Sequence, residues 1–269
     1  MRVRIRHRTS YDYARPPRRV VQRLRLTPAS GSHQIVRDWR IEAPGTLAPS
    51  TDAFGNYCHE LRLDRPGRSL RIVAAGTVET RAGDGLWPVG GPSPDCLAET
   101  PLTAADERVR DLAAPFRAAI ARDPMDGLQR VMSAVGAALT WRAGAGDVWT
   151  TAAAALAAGV GVCQDHAHLV IAACRSLDVP ARYVGGYLWG GPGDGGACER
   201  VAAGHGWAEA LVPGRGWLGL DATNGVIVGE AHIRVAVGRD YDGACPVRGA
   251  RLGGDGETMA VSIELEARS

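Results

Sequence analysis

Three residues with complementary chemistry occur in order along the chain: Cys163, His205 and Asp221. A cysteine becomes a strong nucleophile when a neighbouring histidine takes its proton, and a carboxylate bound to that histidine fixes the orientation of the ring. The spacing of the three residues allows them to meet in a folded chain. The sequence therefore predicts a thiol nucleophile, a histidine base and an aspartate that orients the base.

The predicted nucleophile lies at the start of a helix. Gly159 and Gly161 end an alanine-rich helix predicted for residues 152–158, and an amphipathic helix is predicted to begin at Cys163. A thiol in the first helical turn lies at the positive end of the helix dipole, which favours the thiolate that attacks carbonyl groups. The apolar positions of this second helix have helical spacing and are Ala167, Val170, Ile171, Cys174 and Leu177.

The histidine and the aspartate lie on two predicted strands, residues 205–212 and 215–221. Pro213-Gly214 between them is a strong turn signal, so the two strands form a predicted hairpin. The start of one hairpin strand lies beside the end of the next. Asp221 could then orient His205, and His205 could take the proton of the thiol.

Several segments of the chain match the motifs of one family in the same order. They are Gly161-Val-Cys163-Gln-Asp-x-Ala-His-Leu169, Val179-Pro-Ala-Arg-Tyr-Val-x-Gly-Tyr187, His205-x-Trp207-x-Glu209, Gly216-Trp-x-Gly-x-Asp221-x-Thr-Asn224 and His232-Ile-Arg-Val-Ala-Val-Gly-Arg-Asp-Tyr241. By these motifs the chain resembles the bacterial transglutaminase-like superfamily of cysteine enzymes. In addition, Asp52-Ala-Phe-Gly-Asn56 resembles a turn of the amino-terminal β-domain found in one bacterial subfamily.

The resemblance implies an α+β fold class. The expected core is papain-like or transglutaminase-like, with the helix that carries the cysteine packed on an antiparallel sheet, and it is preceded by an N-terminal all-β domain. We expect residues 1–82 to form the β-rich domain, residues 83–101 a linker, and residues 102–269 the core. The alternating tail at residues 258–267 is predicted to be a half-buried strand at the end of that core.

Two positions depart from the pattern of the family. The residue after Cys163-Gln-Asp is commonly aromatic in relatives and is His166 here, and the usual His-Ala-Trp motif has Gly206 in its middle position. His166 could therefore line the substrate cleft. The glycine-rich segment at residues 190–196 also looks individual to this chain. Candidates for contacts with the substrate or with a reaction oxyanion are Gln164, His166 and Trp207, besides the backbone N–H of Cys163.

Core packing is the alternative role for several of these residues. Free cysteines are often buried, and Cys174 on the apolar helix face is expected to be one of them. Trp207 and Trp217 could provide bulk in the sheet core instead of contacting a substrate. In some relatives a tryptophan near the cysteine serves the oxyanion, and Trp141 or Trp149 is a candidate for that role here. Cysteines without polar companions in the sequence are Cys58, Cys96, Cys198 and Cys245.

A metal site is the competing chemistry, because Cys163, His166 and His168 are close in sequence. Residues 166 and 168 point to different sides of a helix, so both cannot face one ion. Cys-x-x-Cys and His-Glu-x-x-His patterns are absent from the sequence. We expect no metal and no cofactor, and His168 is interpreted as a helix histidine with its own hydrogen-bond partner.

Composition is that of an ordinary globular protein. The 269 residues carry 31 basic and 29 acidic side chains, a net charge of +2, which does not favour binding to nucleic acid. Neither a signal-peptide core nor an apolar run long enough for a membrane span is visible, so we expect no membrane partner. The six cysteines show no paired spacing, which predicts a reducing, cytoplasmic location.

The predicted activity is acyl transfer through a thioester on Cys163. Hydrolysis of a peptide, protein or small amide is favoured, because water is present at about 55 M while an acceptor amine needs its own pocket. A transglutaminase or amine acyltransferase is the first alternative. A non-catalytic binding domain on the same fold is the second. The oligomeric state is left open by the sequence.

Overall fold

The computed structural model describes residues 1–87, 96–190 and 204–268. The middle of the predicted linker, the glycine-rich segment from residue 191 onward, and Cys198 lie outside the described residues. The described chain forms a β-sandwich and a helical half that is built on a separate antiparallel sheet.

The sandwich takes strands from both ends of the chain. They are β1 (Arg2–Arg15), β2 (Arg19–Thr27), β3 (Gln34–Glu42), β4 (Leu47–Thr51), β5 (Tyr57–Asp64), β6 (Ser69–Thr80), β15 (Val247–Leu252) and β16 (Asp255–Arg268). Two four-stranded sheets result, with the orders β16-β1-β6-β3 and β15-β2-β5-β4. Buried and exposed residues alternate along most of β1, as in a strand with one face on a core. Tyr11, Leu24, Leu61 and Ile72 meet in the apolar cluster between the two sheets.

The position of the last two strands corrects one expectation. The sequence predicts the final strand in the core of residues 102–269, but β16 pairs with β1 from Arg2↔Arg268 to Arg15↔Asp255, and β15 pairs with β2. Residues 247–268 therefore belong to the sandwich. The predicted half-burial is also wrong for most of this strand: Ile263 is buried, but Met259 and Val261 are 61% and 47% exposed. Alternation along a strand does not show which distant strand is the partner.

The helical half is built on a sheet that we call the core sheet. Its strands are β7 (Leu86–Trp87), β10 (Ala181–Leu188), β11 (His205–Val212), β12 (Gly216–Asp221), β13 (Val226–Ile227) and β14 (His232–Gly238), in the order β13-β12-β11-β10-β14 with β7 beside β12. Two short strands, β8 (Thr140–Trp141) and β9 (Val160–Gly161), pair in parallel next to it. The helices are α1 (Glu107–Ala113), α2 (Arg117–Arg122), α3 (Pro124–Ala138), α4 (Ala152–Ala158), α5 (Cys163–Ser176) and α6 (Tyr241–Ala244), with a 3-10 turn at Ala114–Phe116.

Helix α5 is the centre of this half. All its residues from Gln164 to Arg175 are buried, and it packs on β10 and β11 beneath α1, α3 and α4. Leu169 and Ile171 are fully buried, and burial of each such side chain contributes roughly 1.5–3 kcal/mol. The α+β class and the packing of the cysteine-bearing helix on an antiparallel sheet, both predicted from the sequence, are confirmed.

The sandwich covers the outer edge of β14 with two side-chain amides. Asn56 Nδ2 donates to the Val237 carbonyl at 2.7 Å, and the Val237 N–H donates to Asn56 Oδ1 at 2.8 Å. Gln34 makes the same pair of bonds with the backbone of Arg234, at 2.8 and 2.9 Å. A register shift in the β10–β14 pairing lets residues 234 and 237 face the same way. The N-terminal domain thus braces the edge of the core sheet.

The turn Asp52-Ala-Phe-Gly-Asn56 supplies one of these amides. Asp52 Oδ1 accepts the N–H groups of Phe54 and Asn56 at 3.0 and 3.1 Å, and Gly55 adopts a φ of 78° that favours glycine. Phe54 packs against two apolar clusters of the core sheet that contain Trp207 and Trp217. The motif therefore fastens the sandwich to the other half of the molecule.

No helix in the described part of the chain is both long and apolar enough to cross a membrane.

Candidate active site

The sequence places Cys163 at a sharply defined helix start. Gly159 ends α4 with a φ of 66°, and its N–H is bonded to Ala155 and Leu156. Asp165 then turns back so that its Oδ2 accepts the Val162 N–H at 2.7 Å, which closes the first turn of α5. Cys163 is half-buried, whereas Cys58, Cys174 and Cys245 are buried. The thiol therefore lies at the positive end of the helix dipole with access from outside.

The side chains of His166 and Gln164 both bond to backbone carbonyl groups and so anchor the start of α5. His166 is 2% exposed, and its two ring nitrogens lie 2.9 Å from the Val162 carbonyl and 3.2 Å from the Leu139 carbonyl. The prediction that His166 lines the cleft is therefore wrong, because the ring is held beneath the helix by backbone. Gln164 Nε2 donates to the Val148 carbonyl at 3.2 Å, and its role at an oxyanion stays a prediction.

The hairpin brings the other two residues together. Strands β11 and β12 pair from Val212↔Gly216 to Ala208↔Leu220, so the start of β11 lies beside the end of β12. His205 Nε2 lies 2.8 Å from Asp221 Oδ2, and the two side chains are 9% and 0% exposed. The Cys163 thiol is the other side-chain hydrogen-bond partner of His205. Because Nε2 is engaged by Asp221, Nδ1 is the nitrogen that serves the thiol.

Charge is distributed in the way that a nucleophilic thiol requires. Burial opposes the charged form of His205, but its hydrogen bonds with Asp221 and Cys163 raise the pKa of the imidazole to about 10. Burial likewise opposes the charged form of Asp221, yet the groups that donate to it hold its pKa well below the usual range. The site therefore favours an imidazolium next to a carboxylate and in contact with the thiol.

Asp221 accepts hydrogen bonds from four further groups. Its Oδ1 accepts the backbone N–H of Thr223 at 3.1 Å and that of Asn224 at 3.2 Å. Its Oδ2 accepts Asn224 Nδ2 at 2.7 Å and His232 Nε2 at 3.1 Å. Asn224 and His232 were both present in the family motifs, but neither was predicted to be a site residue. The available signal for Asn224 was that asparagine, a common turn residue, lies three positions after Asp221. The sequence contains no such signal for His232.

Trp207 forms the floor below the two histidines. It is 1% exposed, and its ring lies 6.0 Å from that of His205 and 5.3 Å, nearly edge-on, from that of His232. Its burial favours the alternative interpretation of Trp207 as bulk in the sheet core, and its contact with a substrate stays a prediction. Trp149, one of the two other tryptophan candidates, is 66% exposed on the loop whose Val148 carbonyl binds Gln164.

Gly206 packs directly against Tyr183. A Cβ atom at residue 206 would lie far inside van der Waals contact with the Tyr183 hydroxyl, so the position has no room for the alanine of the common motif. Tyr183 is buried, and burial together with the negative charge of Cys163 raises its pKa well above the usual value. The phenol thus takes the space beside the histidine strand and lies near the thiol.

Glu209, the last residue of the His-x-Trp-x-Glu motif, is part of a buried ion triad. It is fully buried between Arg182, at 2.6 Å, and Arg234, at 3.0 Å. The Arg182 guanidinium also lies 3.9 Å from the centre of the Trp217 ring. These charges satisfy one another inside the core sheet, and the position of Glu209 indicates a structural role.

A metal ion fits this site poorly. Ligand atoms of His205, Asp221 and His232 lie within 4.8 Å of one another. However, the Gly229 N–H donates to His232 Nδ1 at 3.2 Å, so the ring proton must be on Nε2, where it excludes a metal. His168, considered above as a ligand, accepts the Tyr241 N–H at 3.0 Å through Nε2.

A cysteine at a helix start that contacts a histidine–aspartate pair on an antiparallel sheet is the arrangement of the papain-like fold. The profile described as "Transglutaminase-like superfamily" matches residues 110–222, and that described as "Bacterial transglutaminase-like N-terminal region" matches residues 3–79. The chain belongs to the transglutaminase-like superfamily.

Relatives align over nearly the full chain. An uncharacterized protein of Mycobacterium leprae is 30% identical over 98% of both chains, and one of Mycobacterium tuberculosis is 32% identical over 92% of this chain and 87% of its own. A crystal structure from Cytophaga hutchinsonii, provisionally assigned as a cysteine protease, superposes with a TM-score of 0.75 at 18% identity and covers 99% of this chain and 90% of that one. This crystal structure supports the fold of the described residues.

Proposed function

We propose that the protein is a cysteine-dependent acyl-transfer enzyme that hydrolyses an amide bond of a peptide, protein or small amide. The observation that carries this proposal is the 2.8 Å bond between His205 Nε2 and Asp221 Oδ2, with Cys163 as the other partner of the same ring. A thiol in contact with an oriented imidazolium reacts as a thiolate.

The first half of the reaction forms a thioester. The thiolate sulfur of Cys163 attacks the amide carbonyl and forms a C–S bond, and the carbonyl oxygen becomes an oxyanion. The first N–H groups of a helix have no partner within the helix, so those at the start of α5 can stabilise this charge. His205 gives its Nδ1 proton to the leaving nitrogen, the C–N bond breaks, and the amine departs.

The second half releases the acyl group. Neutral His205 takes a proton from water, the hydroxide attacks the thioester carbonyl, and the C–S bond breaks. The products are a carboxylic acid, which gives its proton to bulk water, and the restored pair of thiolate and imidazolium. Throughout both halves Asp221 remains a carboxylate, since the groups that donate to it hold its pKa low.

The first test is alkylation with iodoacetamide, measured residue by residue by mass spectrometry from pH 5 to pH 9. We expect Cys163 to react well below the reference thiol pKa of ~8.5 and to lose this reactivity in His205→Ala. Cys58, Cys174 and Cys245 serve as internal references, because burial raises the pKa of each of these thiols. Equal reactivity of Cys163 and these references, unchanged by His205→Ala, would overturn the catalytic proposal.

Turnover separates hydrolysis from transfer to an amine. The wild-type protein is incubated with a library of peptide amides, with and without a primary amine, and Cys163→Ala is the matched control. Release of acid without amine incorporation supports the hydrolase. Dominant amine incorporation would assign the chain as a transferase instead.

A further inference from the structure

His232 is a second histidine on the aspartate of the site. It is the first residue of β14, is 6% exposed, and packs edge-on against Trp207. Its Nε2 lies 3.1 Å from Asp221 Oδ2, the same oxygen that binds His205 at 2.8 Å. The proposed reaction uses no group of this side chain.

The protonation of the two rings differs because their surroundings differ. The Gly229 N–H donates to His232 Nδ1, so Nδ1 must present its lone pair and Nε2 must carry the proton. His232 is therefore a neutral donor to Asp221. His205 also donates from Nε2, but its Nδ1 contacts the Cys163 thiol and can exchange a proton there.

Three donors share one oxygen. His205, His232 and Asn224 all donate to Asp221 Oδ2, at 2.8, 3.1 and 2.7 Å. Each donor draws negative charge toward itself, so each weakens the hold of the oxygen on the others. We propose that His232 is a positioning residue that shares the Asp221 oxygen with His205 and so limits how tightly Asp221 holds the proton of His205.

This inference rests on the proposed function, in which His205 must release its proton to the leaving nitrogen. An imidazolium bound too tightly by its carboxylate is a weak acid for that step. Loss of His232 would leave Asp221 in place, because Asn224 Nδ2 and two backbone N–H groups still hold both oxygens. The expected effect is thus on the strength of the contact with His205 and not on its geometry.

The test is a titration of His205 by NMR in the full chain labelled with ¹³C at histidine Cε1. The seven histidines give a resolvable set of signals, and His205→Asn identifies the signal of interest. The titratable groups that contact His205 are Asp221 on β12 and Cys163 on α5, and His232 on β14 lies 6.1 Å away between ring centres.

Three variants are compared with the wild type. His232→Leu keeps the volume and removes the donor. His232→Gln places an amide N–H close to the position of Nε2. His7→Leu is the matched control, because His7 is also a buried, hydrogen-bonded histidine, at 4% exposure, but lies in the sandwich.

In His232→Leu we expect the midpoint of His205 to move upward by about half a pH unit or more, since one donor to the charged carboxylate is lost. The midpoint should return in His232→Gln and stay unchanged in His7→Leu. An unchanged or lowered midpoint in His232→Leu, or an equal shift in His7→Leu, overturns the proposal. If His232→Leu does not fold, the ¹⁵N shifts of the wild-type ring decide, since they must show a protonated Nε2 and an unprotonated Nδ1 while His205 titrates.

This measurement is independent of turnover. A raised midpoint together with an unreactive Cys163 would support the role of His232 and reject the proposed enzyme. A reactive Cys163 with an unmoved midpoint would do the reverse.

Discussion

The hydroxyl of Tyr183 occupies the space that a side chain at residue 206 would need. The two residues lie on neighbouring strands, with Tyr183 paired to Ala208 and Gly185 paired to Gly206. Because residue 206 has no side chain, the Tyr183 phenol can pack directly against strand β11. The missing side chain at residue 206 is thus matched by a bulky residue on the next strand.

Gly206→Ala should therefore disturb the site through Tyr183. Overpacking of this kind costs about 1–3 kcal/mol of stability, and we expect Cys163 alkylation at neutral pH to slow by roughly tenfold as His205 is displaced. Alkylation kinetics and urea unfolding provide the two measurements. The double variant with Tyr183→Phe removes the clashing oxygen and should recover part of both losses. Full activity of Gly206→Ala alone would show that the phenol moves freely.

Asn56→Ala tests the bracing of the core sheet. The variant removes three hydrogen bonds, two with Val237 and one to Asp52, and leaves the N–H and the carbonyl of Val237 without partners at a buried position. Unfolding should therefore become easier by about 2–3 kcal/mol. Urea denaturation measures this change. Asn56→Asp is the control. Its carboxylate can still accept the Val237 N–H but cannot donate to the Val237 carbonyl, so this variant should be no more stable than Asn56→Ala. A loss below half a kcal/mol would mean that the amide pairing contributes little.

Acid should destabilise the fold through His7. Burial lowers the pKa of His7 from 6.5 to about 4, so the unfolded chain binds a proton at a higher pH than the folded chain. The stability contributed by neutral His7 is complete above pH 6.5 and is lost as the pH falls toward 4, which amounts to roughly 2–3 kcal/mol. Urea unfolding between pH 4.5 and 7 should show a smaller slope in His7→Leu than in the wild type. Tyr187→Phe removes the hydrogen-bond partner of His7 but keeps the imidazole, and its slope should persist.

Glu209→Gln tests the structural role of the glutamate in the His-x-Trp-x-Glu motif. Removing its charge leaves Arg182 and Arg234 close together inside the core sheet, which should cost about 3–5 kcal/mol. Thermal unfolding measures the loss, and Glu230→Gln is the control because that glutamate is 55% exposed. If only turnover fell while stability held, the glutamate would have a role at the site instead.

Local signals in the sequence were sufficient to predict the central site. The helix start at Cys163 and the hairpin that joins His205 to Asp221 both depend on nearby glycines and a Pro-Gly turn, and the structure brings the three residues together. His166 was misjudged because its partner, the Leu139 carbonyl, lies 27 residues away. His232 was missed because the sequence does not show which groups the ring of a histidine at the start of a strand will contact.

The far ends of the chain show the same limit at a larger scale. Strand β16 was recognised by its alternation, but its partner β1 lies at the opposite end of the sequence. Pairing over such a distance depends on which edges remain open after the rest has folded, and no local pattern encodes it.

The same pairing has a consequence for synthesis. A ribosome makes β1 well before β16, so the first sheet of the sandwich lacks an edge strand until residues 255–268 have been translated. Until β16 is made, Gln34 and Asn56, whose amides brace β14, belong to an incomplete sandwich. A nascent or prematurely ended chain would therefore carry the cysteine, histidine and aspartate before it carries a finished support for them. Pairing of β16 with β1 is therefore needed before the site has its complete support.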